Sequence, residues 1–313
     1  MKTLDLSALP RPAVVETLDY ETVLAELRAD LLRLYPDAAQ VIDLESEPLI
    51  KLLQVAAYRE LVIRARINDA ARAVMLGWAV GTDLDNLAAR YDLARLSGED
   101  DERLQSRVLM GYHALSAAGS PTSWRLRALS VSVDVRQVDV WSDRPGRVKV
   151  SLLARVAARV EDVDAQQQAI GRALFGEHPE AGANSMCWRV AVAGDAIVGK
   201  TEAALLAEDV RPLTVDVDVT AARILPLAVA ATLVHPPGRD GAVLASAATQ
   251  RVRQLGLRAA FRVDMTRAAL VAALMGEGIR DAVLARPAAD IAAGAGEVPV
   301  ITSITVTPQA RHD

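Results

Sequence analysis

Cysteine, aromatic residues and long apolar runs are all scarce in this chain of 313 residues. The single cysteine, Cys187, excludes a disulfide within the chain and a zinc site built from several cysteines. The longest stretch without a charged residue, 224–238, includes three prolines and is shorter than the roughly 20 residues that span a membrane. The first ten residues carry Asp5 and no apolar run, so we expect no secretory signal. The single cysteine and the lack of a membrane-length apolar run favour a soluble protein of a reducing compartment, without a membrane partner.

An excess of basic residues is also missing. The chain has 35 Lys and Arg residues against 40 Asp and Glu residues, which gives a formal charge of −5. Proteins that bind nucleic acid through its phosphates usually carry the opposite balance, so we expect no nucleic-acid partner. The four histidines form no pair at metal-ligand spacing, and no nucleophile stands beside a candidate base. The residues therefore predict no metal site and no catalytic cluster.

The order of the sequence periodicities predicts an α+β fold. Apolar residues recur every three or four positions through most of the first 120 residues, which predicts helices, the longest over 49–78. From Val131 onward the period changes to two, which predicts strands and a hairpin turned at 142–146. Helix followed by hairpin recurs near 265–307. We expect an N-terminal helical domain followed by two small α+β units with antiparallel hairpins, with these boundaries: 1–120 for the helical domain, 121–220 for the middle domain and 221–313 for the C-terminal domain.

Local signals predict where several helices begin. Ser46, followed by Glu47 and Pro48, has the form of an N-cap before the long helix, and 82–85 has the form of a capping box. Ser120 with Pro121 marks another helix start, and Asp264 is the expected N-cap of a late helix. In the long helix, an apolar stripe is formed by Ile63, Ile67, Ala70 and Val74.

One segment carries the pattern of a phosphate-binding loop, with Gly194, Gly199, Lys200 and Thr201 at the required positions. In such a loop, backbone amides and the lysine contact phosphates, while the threonine hydroxyl binds magnesium. Three features oppose this interpretation. Little chain follows the motif, the strands that follow are hairpin-like, and Asp216 and Asp218 alternate with valine as on the solvated side of an antiparallel strand.

The alternative interpretation is a glycine-containing turn before a short helix. We therefore expect no cofactor, and we keep a nucleotide-binding protein that uses 194–201 as the alternative function. A third function class, a tail adhesin that binds host sugars, is disfavoured by the helical first third, because receptor-binding modules tend to be all-β.

A longer pattern points to a family. The segment 58–74 reads YRELVIRARINDAARAV and leads into GTDLDNLA at 81–88. Further matches follow in order, AAGS at 117–120, RPLT at 211–214 and RPAADI at 286–291. Together these segments resemble the baseplate J-like family of contractile phage tails over almost the whole chain. A stretch near 176–208, which contains Cys187 and the phosphate-loop pattern, is longer than the family leads us to expect and is interpreted as an insertion.

The resemblance implies a structural subunit of a baseplate wedge, similar to the wedge component of T4-like baseplates, and no enzyme. It implies assembly around the hub and spike and transmission of the trigger for sheath contraction. The implied partners are paired copies of the chain in a sixfold ring, other wedge proteins including a tail protein I-like subunit, and hub, spike and sheath neighbours. The implied location is the baseplate of a virion or tail particle, assembled in the bacterial host cytoplasm. An infectious phage, a tail-like bacteriocin and another injection device all remain open.

Polar residues on the long helix are the candidate partner interface: Arg59, Arg64, Arg66, Asn68, Asp69 and Arg72. Arginine holds bidentate ion pairs at interfaces, and these residues are too many for one solvated stripe. The alternative is that they face water or brace neighbouring helices. If they form the interface, charge reversal at Arg66 together with Arg72 leaves the monomer folded and blocks wedge assembly.

Overall fold

A computed structural model describes residues 6–10, 12–44, 46–114, 119–182, 185–208, 210 and 214–311. Parts of two family-like segments, 117–118 and 211–213, lie outside these ranges. The chain divides into two compact units, the first formed by Met1–Arg95 and Glu99–Leu109, the second by Leu96–Gly98 and Met110–Asp313. The three-domain division stays a prediction. No helix in the described ranges is long and apolar enough to cross a bilayer.

The first unit is helical, as its periodicity predicts. Its helices are α1 (Tyr20–Leu34), α2 (Pro48–Ala73), α3 (Gly81–Ala89) and the beginning of α4 (Asp101–Ala114). The long helix α2 ends at Ala73, earlier than the predicted Trp78, because Val74–Trp78 closes into turns in which the Trp78 amide donates to the Met75 carbonyl. Val23 and Leu24 of α1 pack with Ala57 of α2 in the core of this unit.

Two of the predicted helix starts in the first unit are wrong. The N-cap of α2 is Glu47, whose side chain makes no capping bond, so Ser46 does not cap this helix, although Pro48 occupies its first turn. Helix α3 begins at Gly81, ahead of the expected capping box at 82–85. The Gly81 amide donates instead to a carboxylate oxygen of Asp101, at 3.0 Å, so a residue from the start of α4 satisfies it.

The second unit contains two sheets with helices packed against them. In chain order its elements are α5 (Pro121–Leu129), β1 (Val135–Arg144), β2 (Arg147–Arg159), α6 (Ala165–Phe175), β3 (Met186–Val190), α7 (Ala196–Leu205), β4 (Asp216–Ala221), β5 (Arg223–His235), α8 (Gly241–Leu257), α9 (Arg267–Leu274), β6 (Asp281–Arg286) and β7 (Glu297–Ala310). The predicted α+β class, with an N-terminal helical region, is confirmed. Ser120 caps α5 as expected, because its hydroxyl accepts from the Ser123 amide at 3.1 Å.

The first sheet contains the expected hairpin of β1 and β2, and β3 pairs antiparallel with the far half of β2. Strand β4, however, runs parallel to β2, with Val148 beside Val217 and Val150 beside Val219. The antiparallel setting predicted for Asp216 and Asp218 is therefore wrong. The chain crosses from β3 to β4 through α7, and a crossover of this kind permits a parallel strand.

The second sheet has the order β6–β5–β7, with β6 antiparallel and β7 parallel to β5. The expected second hairpin is absent because β6 and β7 lie on opposite sides of β5. Helices α8 and α9 cover one side of the sheet, where Leu233 packs with Val252 and Leu270. The N-cap of α9 is Thr266, not the predicted Asp264, whose carboxylate accepts from the Ala293 amide at 2.8 Å.

Candidate protein-interaction surface

Helix α2 has an inner side that packs within the first unit. Ile50, Ala57 and Asn68 are its buried residues. At 3.6 residues per turn these positions fall on one side of the helix, the side that meets α1. A helix with this side as its only apolar side would be an ordinary amphipathic surface helix.

The opposite side of α2 is also apolar, and it is exposed. Leu52 has 72% of its surface exposed, Ile63 has 59% and Ile67 has 56%. The outer face is defined here by the following residues: Leu52, Val55, Tyr58, Arg59, Val62, Ile63, Arg66, Ile67, Ala70 and Val74. Scattered exposed apolar residues are normal, but a continuous patch on one element is characteristic of a site of protein association.

Arg59 and Arg66 lie within this outer face, two helical turns apart. Both side chains are exposed. Neither forms an ion pair with any residue in the described ranges. Their guanidinium groups are therefore free to bind carboxylates of a partner while the surrounding apolar side chains pack against it.

Arg64 has a different role. Its guanidinium lies 2.6 Å from the Glu60 carboxylate, 3.5 Å from Glu26 of α1 and 3.7 Å from Glu16. The hydrogen bond from Arg64 to Glu60 raises the pKa of the arginine above its usual value. Arg64 therefore braces α2 against α1 and the segment before it, as the alternative interpretation of these residues expects.

Asn68 is buried and bonded within the chain. Its Nδ2 donates to the Glu16 carbonyl at 2.9 Å, while its Oδ1 accepts from the Glu16 amide at 3.0 Å. Asp69 and Arg72 pair with each other on the helix surface at 3.3 Å. Of the six predicted interface residues, only Arg59 and Arg66 belong to the outer face.

Sequence reasoning recognised the stripe of Ile63, Ile67, Ala70 and Val74 but not that it is exposed. The available signal was the second apolar series on the same helix, which includes Ile50, Leu53 and Ala57. Two apolar series on opposite sides indicate that a helix has two surfaces to cover. Periodicity does not say which of the two is covered within the same chain.

The phosphate-loop pattern does not form an open loop. Helix α7 begins at Ala196, so Gly199 and Lys200 lie inside it. The Gly199 amide donates to the Asp195 carbonyl at 3.3 Å, and the buried Thr201 hydroxyl donates to the Ile197 carbonyl at 2.8 Å. The Gly199 amide and the Thr201 hydroxyl, which would contact phosphate and magnesium, are thus used by the helix itself, whereas the Lys200 side chain is exposed.

Asp195 places a carboxylate in the same turn. Both of its oxygens accept from the guanidinium of Arg189 at 2.7 Å, and one also accepts from the Val192 amide at 2.7 Å. The bonds from Arg189 lower the pKa of Asp195 below its usual value and keep the group ionised. The carboxylate thus closes the turn before α7 by binding Arg189 and the Val192 amide, which fits the turn-and-helix interpretation. In the ranges that the structure describes, no group of three or more His, Cys, Asp or Glu residues could hold a metal.

Comparison with known proteins finds a family model that matches part of the helical first unit. Residues 45–99, which include α2 and α3, match the family model of the baseplate J-like N-terminal domain. Baseplate protein J of Escherichia phage P2 is 33% identical over 328 aligned positions, covering 98% of each chain. A shorter match links 47% of this chain to 44% of the zinc chaperone CobW of Sinorhizobium sp, at 28% identity over 162 positions. The first match extends over both chains, whereas the second reaches less than half of either.

Proposed function

Because this chain belongs to the family of phage baseplate J proteins, we propose that it is a structural subunit of the baseplate wedge in a contractile tail. The family itself supports the broader role, a structural part of a phage baseplate. In the proposed assembly, paired copies join in a sixfold ring around the hub and spike, contact the sheath, and hold other wedge proteins, including a tail protein I-like subunit. The ring transmits the trigger for sheath contraction. Assembly in the host cytoplasm and incorporation into tail particles are part of the same proposal.

The observation that carries this proposal is the exposed outer face of α2. Its large apolar side chains remain in contact with water in the single chain, and burying each one contributes about 1.5–3 kcal/mol. A subunit that functions alone gains nothing from such a face. A subunit of a permanent assembly can bury it against a neighbour, with Arg59 and Arg66 pairing to carboxylates of that neighbour.

The proposal includes no enzyme activity. The bonded amide of Gly199 and the buried hydroxyl of Thr201 are not available to a nucleotide. These two groups of the phosphate-loop pattern are held within α7, and the exposed face of α2 supports protein assembly instead.

Co-sedimentation tests the proposed location. The tagged full chain would be expressed in its native cell, particle production induced, and tail-sized particles pelleted and analysed by mass spectrometry. We expect the chain to travel with sheath, tube and spike proteins in a fixed ratio. Recovery of the chain only from the soluble fraction, with particles present in the pellet, would contradict the proposal.

Charge reversal tests the outer face. The sequence suggested reversing the charges of Arg66 and Arg72. Arg59 takes the place of Arg72 in the variant, because Arg72 is paired with Asp69. We expect Arg59→Glu with Arg66→Glu to leave the purified chain folded and to reduce its incorporation into particles at least tenfold. The matched control is Arg90→Glu with Arg127→Glu, which reverses the same number of exposed charges outside the outer face, at arginines that form no ion pair with another described residue. Normal incorporation of the outer-face variant would exclude this face as an interface.

A further inference from the structure

Strand β7 forms one edge of the second sheet. It pairs with β5 from Glu297 to Ala310, with one bulge at Thr302. Its first part is covered, because Val298 and Val300 pack with Ile170 and Leu174 of α6. From Ser303 to Ala310, no backbone group of another described residue pairs with the outer edge of β7. This part of β7 is called the free edge below.

The free edge has few of the features that usually protect a sheet from pairing with another chain, namely Pro308 and a bulge at Thr302 directly before the edge begins. Between Val300 and Thr307 there is no charged residue, and most residues are β-branched. Natural proteins commonly protect such edges with charges, prolines, bulges or very short strands. Pro308 near the end of β7 is the only such residue within the free edge. A long, neutral and β-branched edge is a template for another strand.

The opposite edge of the same sheet is protected. Strand β6 is short, begins with Asp281, ends with Arg286 and is followed by Pro287. The register makes the contrast direct, because Ala230 of β5 has Arg286 beside it in β6 and Thr305 beside it in β7. The same sheet therefore carries charge at both ends of β6 and none on the free edge of β7.

The exposed side of the sheet continues this neutral surface. Thr232 in the central strand lies between Val283 of β6 and Thr307 of β7 in the register. Thr307 and Val283 are exposed, and Thr232 is half-buried. A strand added beside β7 would therefore extend a neutral sheet surface and would meet no unpaired charge at these positions.

We propose that the free edge pairs antiparallel with the same edge of a second copy of the chain, joining two three-stranded sheets into one six-stranded sheet. This pairing deepens the self-association that belongs to the proposed function. A second copy fits because a neutral strand meets its own sequence without like-charge repulsion. The pairing is twofold symmetric, so it uses both free edges and leaves two protected β6 edges outside. The pair is therefore closed and does not grow into a fibre.

Edge pairing of about eight residues buries less surface than a permanent interface, so the isolated pair is weak. Inside a ring, neighbouring contacts raise the effective concentration of the two edges and favour their pairing. In solution, we expect the full chain to shift from monomer to dimer over protein concentrations of about 1 to 100 µM.

Sedimentation equilibrium of the full chain tests this expectation with charge variants. Thr305→Lys with Thr307→Lys puts positive charges on both copies at the free edge, and we expect at least tenfold weaker association. The matched control, Val283→Lys with Ala285→Lys, adds the same charges at exposed positions of β6 and leaves association unchanged. Circular dichroism and the unfolding midpoint of each variant verify that it is folded.

A charge-swap mixture keeps the test independent of any folding defect. Thr305→Glu with Thr307→Glu is expected to associate weakly alone, and mixing it with the lysine variant is expected to restore association at least tenfold. Failure of the mixture to associate, or wild-type association by the lysine variant, overturns the edge pairing. A wild-type chain that stays monomeric up to about 100 µM overturns it as well.

Failure of the edge pairing and failure of the proposed function give different results. If association survives the lysine substitutions on β7 but is lost in Arg59→Glu with Arg66→Glu, the copies pair through α2 and the edge proposal is wrong. If the lysine variant on β7 enters particles normally and associates as the wild type, the baseplate role stands without the edge. If the wild-type chain is absent from particles, the proposed function fails independently of how the copies pair.

Discussion

The Nε atom of Arg262 donates a hydrogen bond of 2.8 Å to Oδ2 of Asp139, a residue 123 positions away in the sequence. The same oxygen accepts from the backbone amide of Gly296, at 3.1 Å. Asp139 belongs to β1 of the first sheet, whereas Arg262 and Gly296 belong to the segments that flank the second sheet. One buried carboxylate therefore links the two sheets of the second unit.

Replacing this carboxylate should weaken the second unit. We expect Asp139→Ala to lower the free energy of unfolding by about 2–3 kcal/mol, because the Gly296 amide and Arg262 lose their acceptor. Urea unfolding followed by tryptophan fluorescence measures the change. Asp143→Ala, which breaks an exposed pair with Lys149, is the control and should cost less than about 1 kcal/mol. Equal losses in the two variants would mean that Asp139 does not link the sheets.

Gly171 lies where helix α6 passes close to β3. A Cβ atom added at Gly171 would lie 1.7 Å from the Trp188 carbonyl oxygen, a distance that forces the backbone to move. We expect Gly171→Ala to destabilise the chain by about 3 kcal/mol or more, because helix and strand must separate. Thermal and urea unfolding measure the loss.

The chain offers a matched control for this substitution in α7. Gly199 lies within a helix and has nothing within 4 Å of an added Cβ. We expect Gly199→Ala to stabilise the chain by about 0.5–1 kcal/mol, since alanine loses less backbone entropy than glycine in a helix. Opposite signs for the two variants are the expected result, and a shared sign contradicts the packing described for α6.

The ion pair between Asp195 and Arg189 should make stability depend on acid pH. The hydrogen bonds from Arg189 lower the pKa of Asp195 in the folded chain below its ordinary value of 3.8. The stabilisation is fully present above the unfolded pKa and is lost as the pH falls through the lower folded pKa. We expect the difference in unfolding free energy between the wild type and Asp195→Asn to shrink as the pH falls from about 5 to 2. A difference that stays constant over this range would exclude the ionised carboxylate as its source.

Lys200 should have no part in nucleotide binding. Its neighbours Gly199 and Thr201 are engaged in α7, so we expect neither the wild type nor Lys200→Ala to bind Mg-ATP or Mg-GTP with a Kd below about 1 mM. Isothermal titration calorimetry measures this directly. Saturable binding by the wild type that Lys200→Ala abolishes would restore the phosphate-loop interpretation.

The candidate surface could be predicted only in part. The sequence singles out α2 because its arginines and apolar residues share a short segment, and Arg59 and Arg66 are among the residues selected. It does not separate them from Arg64 and Asn68, which bond to Glu16, a residue that lies far from them along the chain. That separation depends on the position of α1, which local spacing does not encode.

The sequence by itself determined the local features of this protein: the helical first third, the helix cap at Ser120, the hairpin of β1 and β2, and the resemblance that carries its family. The resemblance extends along almost the whole chain, whereas the other features depend on neighbours within a few residues, so periodicity and capping chemistry suffice to predict them. Only the tertiary structure decided that β4 and β7 run parallel to their neighbours, that Asp139 is buried, and which side of α2 stays exposed. Those outcomes depend on contacts between residues far apart in the chain, where the burial of whole faces outweighs local preference.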